Sequence, residues 1–91
     1  MLNVLHVDDE PDIREVAAFA LEMDPDMVVR SAASGREALD LIGGGYTPDV
    51  ILLDVMMPEL DGPGTLERLR LIPGHGDTPV IFMTARAQSH E

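Results

Sequence analysis

The run Asp49-Val50-Ile51-Leu52-Leu53-Asp54-Val55-Met56-Met57-Pro58 is the most informative stretch of this chain. From Val50 to Val55 it is apolar at every position except Asp54. Without polar alternation, the strand predicted there must be covered on both faces, as strands of parallel sheets are. An ionisable carboxylate among such neighbours is costly to desolvate, so Asp54 stands out as a candidate functional group.

Upstream, Ser34-Gly35-Arg36-Glu37 reads as a capping box in which Ser34 and Glu37 each satisfy a backbone donor. The helix that follows turns Ala38, Leu41 and Ile42 inward and closes at Gly43-Gly44-Gly45. Met27 to Arg30 reads as a short strand. Before it lies a helix beginning at Pro11, where the missing N–H costs nothing, with Asp12 and Glu15 near the positive end of its dipole. Ile13, Val16, Ala17 and Ala20 form one apolar stripe on that helix, and Asp24-Pro25-Asp26 ends it. Leu2 to Val7 is the first strand, stopped by Asp8-Asp9-Glu10. Downstream, Asp61-Gly62-Pro63-Gly64 opens a helix carrying Leu66, Leu69 and Arg70. The loop from Pro73 to Asp77 leads to a fourth strand, Pro79 to Thr84. The order β-α-β-α-β-α-β, with right-handed crossovers, predicts a doubly wound parallel α/β sheet.

Composition narrows the function. The chain is 91 residues long, which suits one small domain. Seventeen acidic residues face six basic ones, for a net charge of −11, so direct nucleic-acid binding is not expected. All the basic residues are arginines, at positions 14, 30, 36, 68, 70 and 86, and there is no lysine. No cysteine is present, which removes disulfides, thiol nucleophiles and thiolate metal sites. No apolar run approaches the roughly 20 residues of a membrane span. The start has no basic region typical of a signal peptide, so a cytoplasmic location is expected.

In an open parallel sheet, ligands bind beyond the carboxyl ends of the strands. Asp8 and Asp9 follow the first strand, Asp54 ends the third and Thr84 follows the fourth. With strands about 4.8 Å apart, neighbouring first and third strands would bring three carboxylates into one crevice. Their repulsion calls for a proton or cation, and a hard divalent ion such as Mg²⁺, with Mn²⁺ as a substitute, suits oxygen donors. One carboxylate could then act as nucleophile toward a phosphoryl group. Plainer accounts stand beside this one. Asp8 and Asp9 also suit a helix N-terminus, and Thr84 also suits a strand end. His6 reads as a satisfied core histidine, while His75 and His90 read as exposed loop residues. Met56-Met57 reads as packing.

Taken together, Val7-Asp8-Asp9-Glu10, Asp49 to Pro58 with Asp61-Gly62, and Pro79-Val80-Ile81-Phe82-Met83-Thr84-Ala85 resemble the response-regulator receiver family over essentially the whole chain, residues 1–91. The resemblance implies a flavodoxin-like, CheY-like phosphorelay domain. Asp54 would take a phosphoryl group from a histidine kinase, a phosphotransfer protein or a small-molecule donor. Asp8, Asp9, Asp54 and the Met56 backbone carbonyl would hold Mg²⁺. Thr84 would be the switch hydroxyl, Pro58 and Gly62 would shape the loop, and Met56 and Arg86 would tune dephosphorylation. No enzymatic role is expected.

The family continues through a fourth helix, a fifth strand carrying a lysine, and a fifth helix, all of which this sequence lacks. Arg86 is the nearest basic substitute. The chain is therefore expected to be a fragment, or to form a homodimer through the surface left exposed. A binding-only receiver that engages a kinase without stable phosphorylation is the alternative. A dehalogenase-type phosphohydrolase wants a second acid where Met56 stands, and so fits poorly.

Overall fold

A computed structural model describes residues 1–83 of the chain. It contains β1 (Leu2–Val7), α1 (Pro11–Leu21), β2 (Met27–Ala32), α2 (Gly35–Gly43), β3 (Val50–Asp54), α3 (Gly62–Leu69) and β4 (Val80–Met83). The strands form one sheet in the order β2-β1-β3-β4, with every pair parallel. This is the expected doubly wound sheet. The direction of travel reverses after β2, so right-handed crossovers put α1 on one face and α2 and α3 on the other.

The core lies on the α2–α3 side. Leu5, Val7, Ile51 and Leu53 alternate toward that face and pack with Ala38, Ile42, Met57 and Leu69. Each such side chain is almost completely removed from water, which stabilises by about 1.5–3 kcal/mol apiece before entropy is charged. The opposite face carries Val4 and His6 of β1, with Leu52 in register beside His6 and Ile81 beside Leu52.

Local chemistry sets the helix ends. Ser34 Oγ accepts from Glu37 N–H at 3.0 Å, and Glu37 Oε1 accepts from Ala33 N–H at 2.7 Å. Both halves of the predicted cap are present. The glycine run closes α2 through Gly45, whose φ of 113° suits glycine alone. Asp61 caps α3, its Oδ1 accepting from Gly64 N–H at 2.8 Å.

Two expectations need correction. Of the apolar stripe expected on α1, Ile13, Val16 and Ala20 are exposed, Val16 to 66%, and only Ala17 is half-buried. The other half-buried positions are Arg14, Ala18 and Leu21, while Phe19 is 74% exposed. The helix is apolar around most of its circumference, so periodicity leaves its rotation open. In the observed rotation Arg14 Nη1 donates to the Asp8 carbonyl at 2.8 Å. The second correction concerns His75, which is buried rather than solvent-exposed. Its Nδ1 lies 2.9 Å from Thr78 Oγ1, and Arg70 Nη1 donates to the His75 and Thr78 carbonyls at 3.2 and 2.7 Å. This polar clamp folds the α3–β4 loop inward. His90 lies outside the described residues.

Strand limits differ slightly from expectation. β2 runs two residues further, to Ala32, β3 stops at Asp54, and β4 begins at Val80. Ile81 and Phe82 are exposed on β4, which is an edge among the described strands.

Candidate functional site

Sheet register builds the site. Val7 of β1 pairs with Leu53 of β3, so the next residues along, Asp8 and Asp54, leave the sheet side by side. Asp8, Asp9 and Asp54 each offer a carboxylate oxygen, and these atoms all lie within 4.8 Å of one another. Asp8 is buried, whereas Asp9 and Asp54 are half-buried.

Each acid has a local reason for its position. Asp8 N–H donates to the Ala32 carbonyl at 3.1 Å, extending the β1–β2 ladder by one rung. Asp8 Oδ1 accepts from Glu10 N–H at 3.0 Å, which turns the chain into α1. Asp54 Oδ1 accepts from Met56 N–H at 3.3 Å, curling the segment after β3 around the carboxylate. Gly62 closes that segment: its N–H donates to the Val55 carbonyl at 2.9 Å. Between the segment and Asp9 lies a cleft of about 500 Å³, lined by Asp9, Val55, Met56, Met57, Pro58 and Asp61.

The expected positions are therefore largely assembled. Asp8, Asp9 and Asp54 converge, while Met56 and Pro58 line the cleft and Gly62 packs against its floor. The Met pair divides its roles, because Met57 is buried in the core while Met56 is 56% exposed at the cleft. Thr84 and Arg86 lie outside the described residues. Glu59, in the same segment, has a φ of 69°, an uncommon left-handed conformation for a residue other than glycine.

Of two residues near the carboxylates, one escaped the sequence reading and the other was read only in part. Arg14 reaches from α1 to the Asp8 carbonyl, and nothing in the sequence distinguishes it from any solvated helical arginine. His6 was expected to be a satisfied core histidine, and it is fully buried. Yet both of its ring nitrogens lack a hydrogen-bond partner among the described residues. Burial lowers its pKa below the usual 6.5; Asp8 and Asp54 pull it upward, and Arg14 adds to the lowering. The position of His6 mid-strand signalled burial, but no sequence signal could reveal the missing partner.

The donor set is all oxygen and carries up to three negative charges in a small volume. That chemistry fits a hard divalent cation such as Mg²⁺ better than a soft metal, which would call for imidazole or thiolate. No helix among the described residues is long and apolar enough to cross a membrane.

Comparison with known proteins agrees with this geometry. Residues 4–91 match the family model described as the response regulator receiver domain. The response regulator Rre1 of Synechocystis sp. is 38% identical over 88 residues, covering 97% of this chain but only 38% of Rre1. A receiver-protein N-terminal domain from Methanoculleus marisnigri superposes with a TM-score of 0.86 at 38% identity, covering 94% of this chain and 68% of that one. The Thermotoga maritima response regulator TrrA, solved with Mg²⁺-BeF, superposes with a TM-score of 0.83 at 32% identity, covering 96% of this chain and 72% of its own.

Proposed function

Because the chain belongs to the response regulator receiver family, we propose that it is a phosphoacceptor switch in which Asp54 receives a phosphoryl group in a Mg²⁺-dependent reaction. The observation that carries this reading is the convergence of the Asp8, Asp9 and Asp54 carboxylates within 4.8 Å at the carboxyl ends of β1 and β3. The likeness to TrrA, solved with Mg²⁺-BeF, supports it.

In this reading, an Asp54 carboxylate oxygen attacks the phosphorus of the donor. Where the donor is a phosphohistidine, the P–N bond breaks with its electron pair on nitrogen, and Asp54 carries an acyl phosphate. Asp8, Asp9, Asp54 and the Met56 carbonyl would hold Mg²⁺. When bound, the ion neutralises the charge that develops on the phosphoryl oxygens. The Met56 N–H, already within hydrogen-bond distance of Asp54 Oδ1, orients the nucleophile. Pro58 and Gly62 shape the segment that closes over it. Thr84 supplies the switch hydroxyl, and Met56 and Arg86 set the rate of dephosphorylation.

Receiver domains interact with histidine kinases or phosphotransfer proteins, and in this proposal such a cytoplasmic partner is the donor. Phosphorylation then biases a two-state surface. The test is to incubate wild type and Asp54→Ala with Mg²⁺ and acetyl phosphate or phosphoramidate, then measure intact masses. One phosphoryl adduct on the wild type, absent from the variant, supports the switch. Mg²⁺ binding without an adduct would leave a binding-only domain, and rapid multiple turnover of the donor would indicate a phosphohydrolase.

A further inference from the structure

Removal of Arg14 from the acidic site would leave the β1–α1 turn with one fewer anchor. Ties of the turn include Asp8 N–H to the Ala32 carbonyl at 3.1 Å, Glu10 N–H to Asp8 Oδ1 at 3.0 Å, Arg14 N–H to the Glu10 carbonyl at 3.1 Å, and Arg14 Nη1 to the Asp8 carbonyl at 2.8 Å. The first two come from the strand and from the turn itself. The last two join the turn to the body of α1, and of these the guanidinium bond, six residues along the chain, is the one that reaches Asp8. It is a charge-assisted bond from a half-buried guanidinium. The Asp9 side chain makes no hydrogen bond among the described residues, so its placement depends on the backbone of this turn.

We propose that Arg14 is a positioning residue for divalent-cation binding, holding the Asp8 carbonyl so that Asp9 stays within reach of Asp8 and Asp54. This inference rests on the Mg²⁺ reading given above and assigns a role within that site.

Charge alone predicts the opposite behaviour. A fixed positive charge beside a cation site repels the cation, so losing it should tighten Mg²⁺ binding. Loss of the anchor should weaken binding, because partners that orient metal ligands commonly contribute ten- to a hundredfold in affinity. Geometry favours the second effect. The guanidinium points its donor at a backbone carbonyl, an arrangement that orders the turn, and pairs with no carboxylate among the described residues. This hydrogen bond accompanies a rotation of α1 that gives a charged residue a half-buried position while Val16 and Phe19 face water.

Calorimetric titration of the metal-free 91-residue protein with MgCl₂ tests the proposal. Arg14→Met keeps an apolar stem but removes charge and donor, and should bind Mg²⁺ about tenfold more weakly than wild type. Arg14→Gln is milder, offering a neutral donor on a shorter stem; it should weaken binding several-fold, and it provides the readout if Arg14→Met folds poorly. Denaturant unfolding without Mg²⁺ separates lost stability from lost affinity. A folded variant that binds as tightly as wild type, or more tightly, overturns the positioning role. If wild type itself fails to bind Mg²⁺, the metal reading and this proposal fall together, and that result is distinct from a failure of Arg14 alone.

Discussion

A Cβ added to Gly62 would stand 2.5 Å from the Asp54 carbonyl oxygen and 2.9 Å from the Val55 Cα. The start of α3 therefore rests directly on the backbone of the proposed phosphoacceptor, and only a residue without a side chain permits that approach. Neither contact can yield, because both atoms belong to main chain at the end of β3. Gly62→Ala should cost about 1–3 kcal/mol in urea-induced unfolding and should also reduce the rate of phosphoryl transfer. Unchanged stability would show that the segment has more room than its geometry implies.

The three carboxylates carry a second prediction. Without a cation their repulsion destabilises the fold, so Asp54→Asn should raise the melting temperature at low salt in chelator, by an amount equivalent to about 1 kcal/mol. Magnesium should stabilise wild type by about 1.4 kcal/mol at ten times its dissociation constant. Asp9→Asn should abolish most of that increment. Equal stabilisation of both proteins by Mg²⁺ would remove Asp9 from the ligand set.

His6 gives a pH dependence whose sign is fixed by its environment. Burial lowers its folded-state pKa below 6.5, so the unfolded chain binds the proton more readily than the folded one. The contribution is fully present above about pH 6.5 and is lost as pH falls from there toward the folded value. His6→Leu should flatten this part of the stability profile. Because both ring nitrogens are buried without partners among the described residues, it should also stabilise the protein at pH 7 by about 1–3 kcal/mol. Equilibrium unfolding between pH 5 and pH 8 checks both statements, and an unaltered slope would contradict them.

Exposed apolar surface predicts self-association. Val16 and Phe19 of α1 and Ile81 of the edge strand β4 are 66%, 74% and 55% exposed, and large apolar side chains in water gain by burial against a second copy. Size-exclusion chromatography with light scattering should show a concentration-dependent species above monomer mass, reduced by Phe19→Glu or Ile81→Glu. A monodisperse monomer at all concentrations would contradict this prediction.

Much of the architecture could be read from the residues. β1 and β3 are short apolar runs ending in acids, so both the parallel sheet and the meeting of Asp8, Asp9 and Asp54 follow from strand-end geometry. Ser34 with Glu37, and Asp61 with Gly64, are caps whose chemistry is local and therefore visible in sequence. Rotation of α1 was not visible, because Ile13, Val16, Ala17, Ala18, Phe19 and Ala20 offer several apolar faces and periodicity does not choose among them. Burial of His75 depends on Arg70 bonding two loop carbonyls, an arrangement without periodicity. The missing partners of His6 depend on what packs across the sheet, which the strand pattern does not encode.

The most direct test of Asp54 as phosphoacceptor is site-resolved mass spectrometry after incubation with Mg²⁺ and phosphoramidate. Cleavage at arginine leaves Asp54 within the 37–68 peptide, bounded by Arg36 and Arg68. The account predicts a single phosphoryl group on that peptide, assigned to Asp54, dependent on Mg²⁺ and absent from Asp54→Ala. A phosphoryl group on another residue, or one that persists in Asp54→Ala, would contradict it.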